Sequence, residues 1–492
     1  MKKSRKLSLP IVLSATFIFL EMLTFSVIGL YLSYHFGSIN LIYYVTAFIL
    51  VVIINSGKLP EAYKTAWTIF LLLIPSIFIP LFIIFGVNKS AVKIVKRTLL
   101  NPSRTKLCTD IPEKYRRTFH ILTNACSTNA DTSTRTEYFP DGESFYKSFL
   151  DDIKSAKTSI YLEYFIVANG LMLNETINAL EICSRHGIDV RILYDSFGSI
   201  KRIPNDFCQS MLKLGIKAVA FNRITYTPNS LINYRDHRKL CIIDGKIGYT
   251  GGINIGDEYI NEVSPYGHWK DNAIRIEGSA VGDMLGSFLK MWEISTSEII
   301  ELEASRTSYI RDGIVQFFYG APLSKQSISE ECYLSLISAA NHSIDIYTPY
   351  LIPDEEMLNA LCLAAKSGVK VTIVTPKVPD KKYVHKLTRS NYAMLLESGV
   401  KIYEYRRGFL HAKSLICDSE CAVVGTSNFD YRSFRLHFED GVLMYDSSAV
   451  FELAKDFSET LMLCDEITLD SDIIKHGKSF AVKLLKLIAP LM

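Results

Sequence analysis

The sequence predicts an α/β protein built from two copies of one strand-and-helix unit, behind an N-terminal membrane segment of two to three apolar helices. Three observations carry this. Apolar residues make up 48% of the 492-residue chain, but they are concentrated in the first 90 positions, and the remainder reads as alternating strands and helices. The second part also repeats itself: SAKTSIYLEYF at 155–165 resembles SAANHSIDIYTPYL at 338–351. In the same order, ALEICSRHGIDVRILY (179–194) resembles ALCLAAKSGVKVTIV (360–374), and MLKLGIKAVAF (211–221) resembles MLLESGVKIYEY (394–405). A repeat of this length implies two copies of one structural unit.

From the N-terminus, three apolar runs stand out: Leu9 to Leu32, Leu41 to Ile54, and Trp67 to Val87. The first and third are long enough to span a bilayer, and the second is short by a few residues. Pro75 and Pro80 mark a candidate kink in the third. Basic residues precede the first run, lie between the second and third as Lys58 and Lys64, and follow the third as Lys89, Lys93, Lys96, Arg97, Arg104 and Lys106. The last cluster is the largest and places the following region in the cytoplasm. The ten cysteines all lie after residue 100 at irregular spacings, without a metal-like CxxC pair, which fits a reducing compartment. A net charge of +3 does not argue for a nucleic-acid partner.

The boundaries read as a membrane segment over 1–100, a first domain over 135–310 and a second over 311–492. Each half runs strand, helix ending at a glycine, strand, helix, strand, and then HxKxxxxD. The first motif is His237, Lys239 and Asp244, followed by Gly251 and Asn254; the second is His411, Lys413 and Asp418, followed by Gly425 and Asn428. One copy is a weak signal, but two with matched downstream residues are not an accident. Histidine can act as nucleophile or general acid near neutral pH. A lysine two residues on along a strand points to the same face, so each motif sets a nitrogen beside a fixed cation. That combination suits attack on an anionic phosphodiester. Lys239, Lys413, Asn254 and Asn428 are the candidate phosphate holders. Asp244 and Asp418 complete the motif, but they lie on the opposite pleat face and read as architectural, holding the turns that begin there. No metal or other cofactor is called for, since two lysines supply the positive charge and no HExxH or carboxylate cluster appears.

With the strings HRKLCIIDGKIGYTGGINIGDEY, HWKDNAIRIEG, YTPYLIPD, HAKSLICD and GTSNFDYRSFRLHFE, the chain resembles the phospholipase D superfamily and, within it, the bacterial cardiolipin synthases. The resemblance runs from about residue 135 to the C-terminus and extends weakly into the membrane segment. It implies two pseudo-twofold-related phospholipase D-like domains, each a mixed sheet flanked by helices, with the site in the cleft between them. It further implies His237 as nucleophile, His411 as acid, and Asp271 and Glu439 as carboxylates that orient the motif histidines; the symmetric motifs alone leave the order of the two histidines open. His437 departs from the subfamily, which more often has asparagine there. The implied reaction joins two phosphatidylglycerols into cardiolipin and glycerol through a phosphohistidine, at the bacterial plasma membrane and next to anionic lipid. Transfer to water or another alcohol, as in a phospholipase D or another phosphatidyltransferase, is the alternative; a superfamily nuclease is a more distant one. Glu163, Tyr164 and Tyr350 end the first strands of the repeats, where cleft-lining and core roles are equally open. The insertion Asn222 to Asp236 is a candidate substrate loop, and oligomeric state is not readable.

Overall fold

A computed structural model describes residues 37–57, 61–86, 110–223, 233–300, 311–322 and 327–477, with isolated positions outside these runs. The apolar run at 9–32 falls almost wholly outside them, as does the centre of the 222–236 insertion, 224–232. The described chain forms two compact units, one carrying the N-terminal helices and the other both halves of the repeat.

In the first unit, α1 (Gly37–Ser56) contains the second apolar run, and its 20 residues rise about 30 Å, enough to cross a bilayer. The run expected to fall short is therefore the one that makes a full-length apolar helix, because flanking residues from Gly37 to Asn40 extend it. The third run, expected to span, is divided instead into α2 (Glu61–Leu73) and α3 (Pro75–Phe85). The break falls at Ile74, whose non-helical backbone (φ −142°, ψ 79°) precedes Pro75, as steric exclusion of the helical conformation before proline requires. Neither 13 nor 11 residues reaches across a bilayer.

The second unit opens with α4 (Glu113–Cys126), an element the sequence reading did not identify. Its stripe of Tyr115, Phe119 and Leu122 packs in one core with Leu336, Ile344 and Cys417 of the second half. Two sheets follow. The first contains β1 (Thr134–Phe139), β2 (Ser159–Tyr164), β3 (Asp189–Asp195), β4 (Lys217–Phe221), β5 (Lys239–Ile243), β6 (Ile247–Gly251) and β7 (Ala273–Gly278), in the order β1-β7-β6-β5-β2-β3-β4. The second contains β8 (Ile314–Gly320), β9 (Ser343–Tyr347), β10 (Lys370–Pro376), β11 (Lys401–Tyr405), β12 (Ser414–Cys417), β13 (Cys421–Gly425), β14 (His437–Tyr445) and β15 (Cys464–Ile467), in the order β8-β14-β13-β12-β9-β10-β11-β15. Apart from the added β15, the two orders are the same.

Register repeats as well: β2 runs parallel to β3 from Ser159 opposite Asp189, and β9 runs parallel to β10 from Ser343 opposite Lys370. The crossover helices end at Gly187 and Gly368, both at positive φ, a conformation that glycine adopts without a steric penalty. A shared core holds the sheets together, with Leu240 and Ile242 of β5 in one cluster with Ile416, Val424 and Val442 of the second sheet. The halves are thus parts of one compact unit.

Two short parallel pairings cross between them. Arg235 and Asp236, just before the first motif, pair with His437 and Phe438 at the start of β14. Gly408 to Leu410, just before the second motif, pairs with His268 to Lys270. The exchange continues one residue further, as the His237 amide donates to the Phe438 carbonyl at 3.0 Å and the His411 amide to the Lys270 carbonyl at 2.7 Å. Each motif histidine is therefore positioned by the opposite half.

Candidate active site

His237 and His411 stand immediately before β5 and β12, not within the strands, so period-two alternation does not by itself set the histidine–lysine relation. A direct bond does. The Lys239 Nζ donates to the His237 carbonyl at 2.5 Å, and the Lys413 Nζ donates in the same way to the His411 carbonyl. Both histidines and both lysines are buried, with 2% exposure at Lys239 and none at Lys413. Burial of an ammonium disfavours its charged form; it lowers Lys239 to about 8 and Lys413 to about 7, against carboxylates that pull the other way. The His237 imidazole lies below its usual range because of burial, then the charges of Lys239, Lys413 and His411. Burial and Lys413 take His411 down to about 4. Four groups from the two halves thus act on one another at a single place.

The carboxylates cross over. Glu439, on β14 of the second half, receives Nδ1 of His237 at 2.9 Å to Oε1 and 3.0 Å to Oε2. Asp271, of the first half, receives Nδ1 of His411 at 2.6 Å. A carboxylate on Nδ1 places the remaining imidazole proton there and leaves Nε2 as the reactive atom. Burial raises Asp271, but the nearby His411 and Lys413 outweigh it and hold the group below the usual carboxylate value.

Equivalent positions support these carboxylates by different means. The Thr426 hydroxyl donates to Glu439 Oε2 at 2.5 Å. Its counterpart in the repeat is Gly252, where an added Cβ would stand 1.8 Å from Asp271 Oδ1. A glycine is thus required for Asp271 to sit where it does, and Asp271 accepts from the Trp269 indole at 3.2 Å and the Asn272 amide at 2.9 Å instead. Trp269, Thr426 and Gly252 were missed from sequence; for Thr426 and Gly252 the only signal was the TGGIN-versus-GTSN difference.

The remaining candidates sort by their contacts. Asn254 bonds the Ile166 amide through Oδ1 at 3.0 Å and the Tyr259 hydroxyl through Nδ2 at 2.8 Å, leaving a single amide N–H for a ligand. Asn428 keeps its buried Oδ1 without a hydrogen-bond partner. Asp244 accepts from the amides of Lys157, Thr158 and Ser159, and Asp418 from those of Asn341, His342 and Ser343. Both have φ of 53°. The aspartates therefore cap the entrance to β2 and β9 and do not serve only their own turns. Lys114 of α4 adds an ion pair to Asp418 at 2.6 Å. Glu163 is the buried counter-ion of Arg238 at 3.1 Å, Tyr164 belongs to the first-half core, and the Tyr350 hydroxyl donates to Asp380 at 2.6 Å. His437 stands 5.4 Å from His237, ring centre to ring centre.

Two imidazoles bonded through Nδ1 to carboxylates, with two lysines held beside them, form a set of groups that can bind and displace at a phosphodiester. Residues 149–292 and 333–461 match the family described as cardiolipin synthase, PLD-like domain. Cardiolipin synthase 2 of Bacillus anthracis is 37% identical over 357 residues, 72% of this chain and 69% of the relative. A cardiolipin synthase of Halalkalibacterium halodurans is 39% identical over 343 residues, 69% of this chain and 68% of the relative. Among solved structures, the phosphatidylserine synthase of Haemophilus influenzae aligns with a TM-score of 0.60 at 15% identity, covering 78% of this chain and all of that one; at that identity the likeness concerns fold alone.

Proposed function

The chain belongs to the cardiolipin synthase, PLD-like domain family, and on that premise we propose that it transfers a phosphatidyl group from one phosphatidylglycerol to another, giving cardiolipin and glycerol. The observation that carries the reading is the reciprocal pairing of His237 with Glu439 and of His411 with Asp271. In the proposed first step Nε2 of His237 attacks phosphorus, the bond from phosphorus to the glycerol oxygen breaks, and His411 gives that oxygen its proton. In the second, a hydroxyl of another phosphatidylglycerol attacks the phosphohistidine while neutral His411 takes its proton, so His237 leaves and the enzyme is restored. Lys239 and Lys413 offset the charge on the non-bridging oxygens, with Asn428 and the remaining Asn254 N–H as further donors. A diester anion seated between the lysines would also offset the charges that depress His411 and favour its protonated form. Asp244 and Asp418 maintain the frame and take no part in the chemistry.

The α1 helix, long and apolar enough to cross a membrane, supports a membrane-anchored enzyme whose substrates are confined to the same plane. We place the 135–310 and 311–492 domains on the cytoplasmic side, as the juxtamembrane basic cluster favours; the absence of disulfides among the described cysteines is compatible with that side. Attachment by more than one span belongs to the same reading. Purified protein given phosphatidylglycerol as its sole lipid is expected to form cardiolipin and glycerol, read by mass spectrometry. Phosphatidic acid without cardiolipin would instead identify a phospholipase, and cleavage of a labelled oligonucleotide a nuclease.

The lysines give this reading a pH dependence. Charged Lys413 and Lys239 are needed to hold the phosphate, and their values of about 7 and about 8 mean that the cations are present below this range and lost as pH rises through it. Because kcat/KM reports groups of the free enzyme, its alkaline limb is expected between pH 7 and 8. A profile flat to the ordinary lysine value of 10.5 would contradict the role given to these residues.

A further inference from the structure

We infer that His237, His437 and Glu439 form a reversible inhibitory site for a zinc-like divalent cation at the catalytic centre. One ligand atom from each of the three lies within 4.8 Å of the others. Glu439 Oε1 is 2.9 Å from Nδ1 of His237 and 3.7 Å from Nδ1 of His437. Metal–ligand bonds of about 2.1 Å at a tetrahedral angle require separations of roughly 3.4 Å, between these two values, and two imidazoles with one carboxylate form a zinc ligand set that leaves a position open.

The backbone of His437 pairs with Arg235, and its ring faces that of His237. Its buried Nδ1 lacks a hydrogen-bond partner, although such atoms are nearly always satisfied. The residue lies two positions before Glu439 on β14, on the same strand face, and Glu439 is the only carboxylate in an ion-pair contact with it among the described residues. Lys239, Lys413 and Arg432 oppose a cation here, while Glu439, Asp430 and Asp440 favour one. The site is therefore weaker than a structural zinc centre and releases its ion to a chelator.

Binding would stop turnover through the tautomer of His237, a consequence that rests on the proposed function. A metal–nitrogen bond forms at Nδ1, the proton held there towards Glu439 moves to Nε2, and the Nε2 lone pair needed for attack on phosphorus is lost. No oxidation or reduction is involved.

The full-length protein in detergent would be titrated with Co²⁺ while visible absorption is recorded, and cardiolipin formation measured with added Zn²⁺ before and after EDTA. Expected are a four-coordinate cobalt band without thiolate-to-metal charge transfer, inhibition reversed by EDTA, and about 100-fold weaker binding in His437→Asn, comparing each protein with its own metal-free rate. A wild-type protein with no such band, one with a thiolate band, or a His437→Asn protein that binds unchanged would overturn the site. Cobalt uptake at the site without loss of turnover would leave metal binding standing, overturn its inhibitory role and contradict His237 as the nucleophile.

Discussion

Replacement of His237 by alanine is expected to lower cardiolipin formation by about 10⁴-fold or more, because it removes the atom that becomes bonded to phosphorus. His411→Ala removes the proton donor of the first step and the base of the second, and a loss of similar size is expected. Groups that act as a unit lose most of their effect at the first deletion. The double variant should therefore be about as inactive as either single one, whereas multiplicative losses would indicate two independent sites. Thermal unfolding of each variant separates this from a folding defect. The ring of His237 contacts Phe165 and His437 at 5.0 and 5.4 Å, so a modest destabilisation is expected alongside the kinetic loss.

The second large effect concerns the crossed carboxylates. Asp271→Asn is expected to reduce kcat by about 10² to 10⁴-fold, since an amide cannot hold His411 in the tautomer that leaves Nε2 reactive. The effect is exerted on a histidine 140 positions away in the other half of the repeat. Glu439→Gln should do the same to His237, at a separation of 202. Imidazole nitrogen shifts in ¹⁵N spectra would show which ring each substitution disturbs. If Asp271→Asn altered His237 and left His411 unchanged, the reciprocal arrangement would be wrong.

Much of this was legible in the sequence, for reasons that differ by residue. The two histidines and two lysines could be found because their spacing is short and occurs twice. The succession of strands and helices along each half could be anticipated because the repeat carries its glycine stops, Gly187 and Gly368, at corresponding points. Asp271 and Glu439 could be nominated from their strings, but not their exchange, which depends on Arg235–Asp236 and Gly408–Leu410 pairing across the halves. Local pattern holds no record of such long-range pairing. Asn254 and Asn428 look equivalent in sequence, yet only Asn254 has its carbonyl bonded to a backbone amide and its amine to Tyr259. Likewise α4 was overlooked because its apolar stripe is short and its partner, the second-half core, lies more than 200 residues away. In the membrane segment the candidate kink at Pro75 corresponds to the backbone break at Ile74, whereas hydropathy alone does not register the residues that lengthen α1.

The most direct test of the two-histidine account is to trap the covalent intermediate. Full-length protein would be mixed with phosphatidylglycerol labelled in the phosphatidyl moiety, quenched under alkaline conditions that preserve phosphohistidine, and digested for peptide mapping. The label is expected on the peptide bearing His237, in wild type at low occupancy, and to be absent from His237→Ala. Label on His411 alone would reverse the assigned roles, and cardiolipin formed at full rate by His237→Ala, with no labelled histidine, would contradict the mechanism.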